Sequence, residues 1–182
     1  IYVDLTFGVG GHSRYLLSQL GPQVRLIAFD QDQDALHNRI DDPRFLLIHQ
    51  NFRYLKRFLK FHGVAQVDGI MGDFGVSSHQ FDEGERGLST RFDGALDMRM
   101  NQEQGLTAAQ ILNEYSVEQL TVLFREYVEL RNGAKLSRVI EAARKEKMIK
   151  TTEELKSIVR PFMPRNKEHK IMAQIFQAIR LE

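Results

Sequence analysis

Asp4-Leu5-Thr6-Phe7-Gly8-Val9-Gly10-Gly11-His12 is the first stretch whose residue types suit chemistry. The apolar run Ile1 to Leu5 feeds it and a helical pattern follows, so the glycines fall where a strand turns into a helix. Glycine at such a turn lets the backbone bend tightly and come close to a ligand. The same run also reads as an ordinary tight connection. The dinucleotide fingerprint G-x-G-x-x-G would need glycine at position 13, where Ser13 stands, which argues against a pyrophosphate-binding dehydrogenase.

Asp30 closes the second apolar run, 22 residues after Gly8. A carboxylate there can accept hydrogen bonds from both hydroxyls of an adenosine ribose. It also suits the N-cap of the next helix, a role that Asp32 can fill instead. Asn51-Phe52 follows the third apolar run, where an aromatic ring can pack on a base or simply belong to the core. Asp73 ends the fourth run, and Phe74 to Gln80 follow it as the wall of a pocket. In open α/β sheets, ligands bind beyond the carboxyl ends of the strands. Glycines, Asp30, Phe52 and Asp73 at successive strand ends fit an adenosyl ligand that carries a sulfonium rather than a phosphate chain. His12 is either a base or a hydrogen-bonding contact, and His79 reads as a loop residue. The other histidines are scattered without metal-ligand spacing, so no metal is expected.

These residues need a scaffold, and the pattern supplies one. Ile1–Leu5, Val24–Phe29, Arg44–His49 and Val67–Met71 read as strands. His12–Leu20, Asp32–Ile40 and Arg53–His62 read as the helices between them. Short apolar strands joined through helices imply right-handed βαβ units and a parallel sheet. After Asp73 the alternation stops, and the polar, glycine-punctuated stretch from Phe74 to Asn101 reads as a functional loop anchored by Phe81, Leu88, Phe92, Leu96, Met98 and Met100. From Thr107 the pattern is helical. Ser116 with Gln119 and Thr151 with Glu154 have capping-box spacing. Leu136, Val139, Ile140 and Ala143 share a face, as do Leu155, Ile158, Val159 and Phe162, before Pro161 and Pro164 interrupt. A last helix starts near Lys167. Residues 105–166 thus read as a small helical insertion into an α/β domain.

The formal net charge of +1 conceals an uneven distribution. Residues 1–104 carry 11 basic and 14 acidic side chains, residues 105–182 carry 14 and 10, and the window 131–170 holds 12 against 5. A concentrated basic segment is a candidate electrostatic footprint for phosphate. The absence of cysteine rules out a disulfide framework, a zinc ribbon and a thiol nucleophile. No apolar run approaches the length of a membrane span. The chain opens inside a strand pattern without a methionine and stops inside a helical one, as a fragment would.

Several blocks together resemble one family: Gly8-Val9-Gly10-Gly11-His12-Ser13, Asp30-Gln31-Asp32, Val67-Asp68-Gly69-Ile70 and Asp73-Phe74-Gly75-Val76-Ser77-Ser78-His79-Gln80-Phe81-Asp82. Glu85-Arg86-Gly87-Leu88-Ser89, Leu96-Asp97-Met98-Arg99-Met100, Thr107-Ala108-Ala109 and Phe176-Gln177-Ala178-Ile179-Arg180 extend it. The family is the bacterial small-subunit ribosomal RNA cytidine-N4 methyltransferase, MraW type, and the resemblance covers nearly the whole chain. Val9 and Phe74 depart from the small or aliphatic residues expected there, and Tyr127-Val128-Glu129 only loosely follows the family's Tyr-Gly-Glu.

The resemblance implies a Rossmann-like class I methyltransferase, α/β with a mostly parallel sheet. Residues 1–104 with 167–182 would form the S-adenosylmethionine domain, lacking the family's C-terminal strands, and 105–166 the inserted helical domain that recognises RNA. It further implies that Gly10, Gly11 and His12 contact the methionine part of the cofactor, Asp30 the ribose and Phe52 the adenine, with Asp73 and Gln80 completing the pocket. Asp73 is the catalytic candidate, beside the carbonyls of Phe74 and Gly75, because the cytosine amine needs an acceptor for its N–H. Arg86, Arg99, Arg138 and Lys145 are the candidates for RNA phosphates. Internal pairing with Asp82, Glu85, Asp93 and Asp97 is the alternative for the loop arginines, and a solvated helix surface the alternative for the others. The implied partner is 16S RNA of the small subunit, within an assembled 30S particle in the cytoplasm, with no membrane. A methyltransferase for another amine or RNA, and a non-catalytic RNA-binding module, are the rival readings.

Overall fold

A computed structural model of the chain describes residues 1–76, 84–103, 105–128, 130 and 132–182. Packing divides the chain into two compact units, residues 1–75 and 76–182.

The first unit is α/β. Its strands β1 (Tyr2–Asp4), β2 (Leu26–Asp30), β3 (Phe45–His49) and β4 (Gly69–Met71) form one parallel sheet in the order β3-β2-β1-β4. The alternating pattern predicts this parallel sheet, and its Rossmann-like class is the one the family resemblance implies. Helix α1 (Gly11–Gln19) joins β1 to β2, and α2 (Leu55–Phe61) joins β3 to β4. The link from β2 to β3 is tighter than the expected helix: Gln33–Asn38 is a 3-10 helix, capped by the Asp32 carboxylate on the Asp34 amide. The sheet is apolar on both faces. Leu26 and Ala28 pack with Phe7, Leu17 and Phe45 on one side, while Val3, Ile27, Phe29 and Ile48 pack with Val64 on the other. Burial on both faces is why β2 reads Leu-Ile-Ala-Phe without alternation.

The second unit is helical: α3 (Ala108–Glu114), α4 (Val117–Glu126), α5 (Gly133–Glu146), α6 (Thr152–Val159) and α7 (Glu168–Leu181). Both expected capping boxes form, and Thr107 with Gln110 adds a third at the start of α3. The core is built on Leu112, Leu120, Phe124, Leu136, Ile140, Leu155, Ile175 and Phe176. Leu88, Leu96 and Met98 enter the same core. Leu96 donates its amide to the Lys150 carbonyl, and the Thr152 amide reaches the Gly94 carbonyl. Residues 84–103 are therefore stitched to the helices, and the final helix α7 packs with them too. The division at Gly75 precedes the expected boundary at 104 because these buried side chains pair with helices far along the chain. Phe92 is half exposed rather than an anchor, and Phe81 lies outside the described residues.

Candidate functional site

The carboxyl ends of β1, β2 and β4 bring most of the singled-out residues of the first unit together. After β1 the backbone turns through Gly8 (φ +54°) and Gly10 (φ +80°) into α1. Gly10 admits no side chain: a Cβ there would stand 2.8 Å from the Phe7 ring, itself buried in the core. Gly11 and His12 follow as exposed residues of the first turn of α1, where backbone N–H groups lack helical partners and attract a negative group.

Asp30 reaches back to this turn. One carboxylate oxygen accepts the Gly8 amide at 2.7 Å and the other accepts the Asp32 amide at 2.9 Å. Asp30 is thus not the helix cap, a role Asp32 takes. Each oxygen of a carboxylate has two lone pairs, so acceptor capacity remains for hydroxyl groups. Burial pushes the Asp30 carboxyl above its usual range, and the amide donors oppose that shift. Next to it, the Gln31 side-chain oxygen accepts from the Asn51 amide group at 2.7 Å, and Asn51 also caps the short 3-10 turn Phe52–Tyr54. That cap fixes Phe52 beyond the end of β3, with its ring partly exposed.

Asp73 follows β4 and is exposed. Its amide donates to Thr6 Oγ1 at 2.7 Å. Thr6 in turn belongs to a buried group that the sequence did not single out. The Asp4 carboxylate, 1% exposed, accepts the Thr6 amide at 3.0 Å and the Ser13 hydroxyl at 2.7 Å. Ser13, the residue that breaks the dinucleotide fingerprint, is fully buried and holds α1 to the end of β1. A strand-end aspartate followed nine residues later by a small hydroxyl residue on the inner face of a helix is the signal that could have found this pair.

The basic candidates lie in the second unit, and they divide. Arg86 is buried and donates to the carbonyls of Arg99 and Met100 at 2.7 and 3.0 Å. Arg99 clasps the Asp97 carboxylate at 2.7 and 2.8 Å. Both loop arginines thus have internal partners, the alternative weighed for them beside phosphate. Arg138 is exposed on α5, and Lys145 is exposed on the same helix with an ion pair to Glu141 at 2.9 Å. Gln80, His79 and Asp82 lie outside the described residues. Among the described residues, no group of three or more His, Asp or Glu side chains is placed to hold a metal ion, and no helix is long and apolar enough to cross a membrane.

The family profile described as "MraW methylase family" matches residues 1–182, the whole chain. The chain belongs to the MraW methylase family. Within it, the chain is 59% identical over its full length to a protein of Christiangramia forsetii named "Ribosomal RNA small subunit methyltransferase H". It is 56% identical over its full length to the protein of that name from Flavobacterium psychrophilum, and 52% identical over 181 residues to the one from Bacteroides thetaiotaomicron. It covers 60%, 62% and 60% of those three proteins, so the chain spans about 60% of the length of the curated relatives it matches. The glycine turn, Asp30 and Asp73 of this MraW methylase chain lie in its α/β unit, and its concentrated positive charge lies in its helical unit.

Proposed function

We propose that the protein is an S-adenosylmethionine-dependent methyltransferase that methylates the exocyclic N4 of a cytidine in the decoding region of small-subunit 16S RNA. The observation that carries this reading is the Asp30 carboxylate bonded to the Gly8 amide, with acceptor capacity left for two ribose hydroxyls. The positive φ of Gly8 and Gly10 turns the backbone tightly at the strand end, which suits a ligand lying close to it. In this reading Gly10, Gly11 and His12 hold the methionine part, Asp30 the ribose, Phe52 the adenine, and Asp73 with Gln80 the remainder. When bound, S-adenosylmethionine supplies an electrophilic methyl group on a cationic sulfur.

The lone pair of the cytosine amine is delocalised into its ring, so nitrogen is a poor nucleophile. Asp73, or the carbonyls of Phe74 and Gly75, accepts the N4–H bonds and holds nitrogen in line with the methyl group. Accepting those bonds raises electron density on nitrogen as the new C–N bond would form and the donor's S–CH3 bond break, its electron pair staying on the thioether that leaves. The released proton passes to solvent or to the exposed Asp73 carboxylate. A base inside a stacked helix cannot reach such a site, which favours a splayed nucleotide in an assembled 30S particle, in the cytoplasm. Exposed Arg138 and Lys145 on α5, within the segment 105–166, are the proposed phosphate contacts.

The test is mass spectrometry of ribosomal RNA nucleosides from cells with and without the full-length protein. N4-methylated cytidine that disappears on deletion and returns with the gene supports the reading. Unchanged nucleosides refute it.

A further inference from the structure

Phe52 and Phe74 are both exposed, the first by 37% and the second by 66% of its surface. They follow β3 and β4, which are the two edges of the four-stranded sheet. Three strand spacings, roughly 14 Å, separate those edges. The two rings nevertheless meet, with centroids 5.3 Å apart and planes at 60°. The segments that follow β3 and β4 therefore converge beyond the carboxyl ends of the strands, the end of the sheet where Asp30 and the glycine turn stand. Gly72 makes room for this: a Cβ there would be 2.9 Å from the Phe74 ring. An aromatic ring aimed over a strand-end cleft, with two-thirds of its surface left to water, contributes little to the core and offers an apolar face to a ligand.

We propose that Phe74 is a second aromatic wall of the adenine subsite, opposite Phe52, and that this ring pair selects a flat purine. The proposal rests on the S-adenosylmethionine reading above. A base stacked between two rings needs about 7 Å between them, two van der Waals contacts, so a base does not fit between rings at the observed spacing. Binding parts the pair, and each ring exchanges its neighbour for a base face. The exchange retains aromatic contact throughout, which makes the subsite cheap to open and selective for a planar group. Aliphatic bulk at position 74 would keep the apolar surface but lose the stacking geometry.

Calorimetry of S-adenosylhomocysteine with the full-length protein, compared with Phe74→Tyr, Phe74→Leu and Phe74→Ala, tests this. Phe74→Tyr is expected to bind within about twofold of wild type, and Phe74→Leu and Phe74→Ala about tenfold or more weaker. The KM for the methyl donor rises in step with the loss of affinity. Because Phe74 is largely exposed, a melting curve close to wild type is expected for each variant. Unchanged affinity in Phe74→Ala, with the wild type binding, overturns this proposal alone. A fall in kcat with unchanged affinity also overturns it, since the ring then serves the target nucleotide. No binding by the wild type overturns both this proposal and the cofactor reading beneath it.

Discussion

The hydroxyl of Thr6 accepts the backbone amide of Asp73 at 2.7 Å, joining the end of β1 to the end of β4 across 67 residues of sequence. Through the Thr6 amide the same residue is held by buried Asp4, which also takes the Ser13 hydroxyl. The start of the glycine-flanked helix and the proposed acceptor beside the target amine are thus fixed to one buried carboxylate.

Thr6→Val keeps the shape of the side chain and removes the acceptor for the Asp73 amide. Turnover should fall roughly tenfold, the effect of losing about 1.4 kcal/mol of alignment. Affinity for the methyl donor should change far less, and Thr6→Ser should restore the rate. Steady-state kinetics on assembled subunits separates kcat from KM and checks this.

Asp73→Ala should lower kcat by about 100-fold or more, as loss of a proton acceptor in the transition state does. Full activity together with unchanged donor affinity would exclude Asp73 from both of its proposed roles.

Ser13→Ala leaves the buried Asp4 carboxylate one donor short. A cost of about 1–3 kcal/mol in unfolding free energy is expected, visible as a lower midpoint in urea. Substitution at Arg86 belongs to the same class. Its guanidinium serves two carbonyls in the buried loop, so Arg86→Ala should lower thermal stability.

The Asp30 carboxyl titrates above its ordinary value because it is partly buried. In the proposed site ribose hydroxyls would donate to its charged form, so donor affinity should be full above the Asp30 pKa. It should weaken up to tenfold per pH unit as pH falls through it. For folding alone the sign is opposite. The folded state holds this proton more tightly than the unfolded chain, so Asp30 favours folding at low pH and loses that contribution as pH rises through its raised pKa. Asp30→Asn should abolish both dependences, which calorimetry and melting curves across pH can follow.

Charge reversal at Arg138 and Lys145 should weaken RNA binding and flatten its salt dependence, by about one unit of slope for each phosphate that is no longer neutralised. Filter binding over a salt series reads both effects. Binding unaffected by the two reversals would place the RNA interface elsewhere.

The glycine turn and Asp30 are legible in the sequence because both fall within one βαβ unit, where spacing alone places them side by side. The capping boxes at Ser116 and Thr151 are legible for the same reason, being local patterns. Asp4, Thr6 and Ser13 are not. Their partners sit on different elements, and an aspartate at a strand end or a serine on a helix has a bland alternative in sequence. Arg86 and Arg99 show a related limit, since a charge in a loop does not reveal whether carbonyls, Asp97 or a phosphate will claim it. The division at Gly75 is hidden because Leu88, Leu96 and Met98 are scattered among polar residues and only packing shows where they belong.

The most direct test of the cofactor site is calorimetry of S-adenosylmethionine and NAD with the full-length protein and with Asp30→Ala. S-adenosylmethionine is expected to bind one to one, NAD not to bind, and Asp30→Ala to weaken S-adenosylmethionine binding by about 100-fold, the loss of two charge-assisted hydrogen bonds. Absence of S-adenosylmethionine binding, a preference for NAD, or unaltered affinity in Asp30→Ala would contradict a methyl-donor site at the ends of β1 and β2.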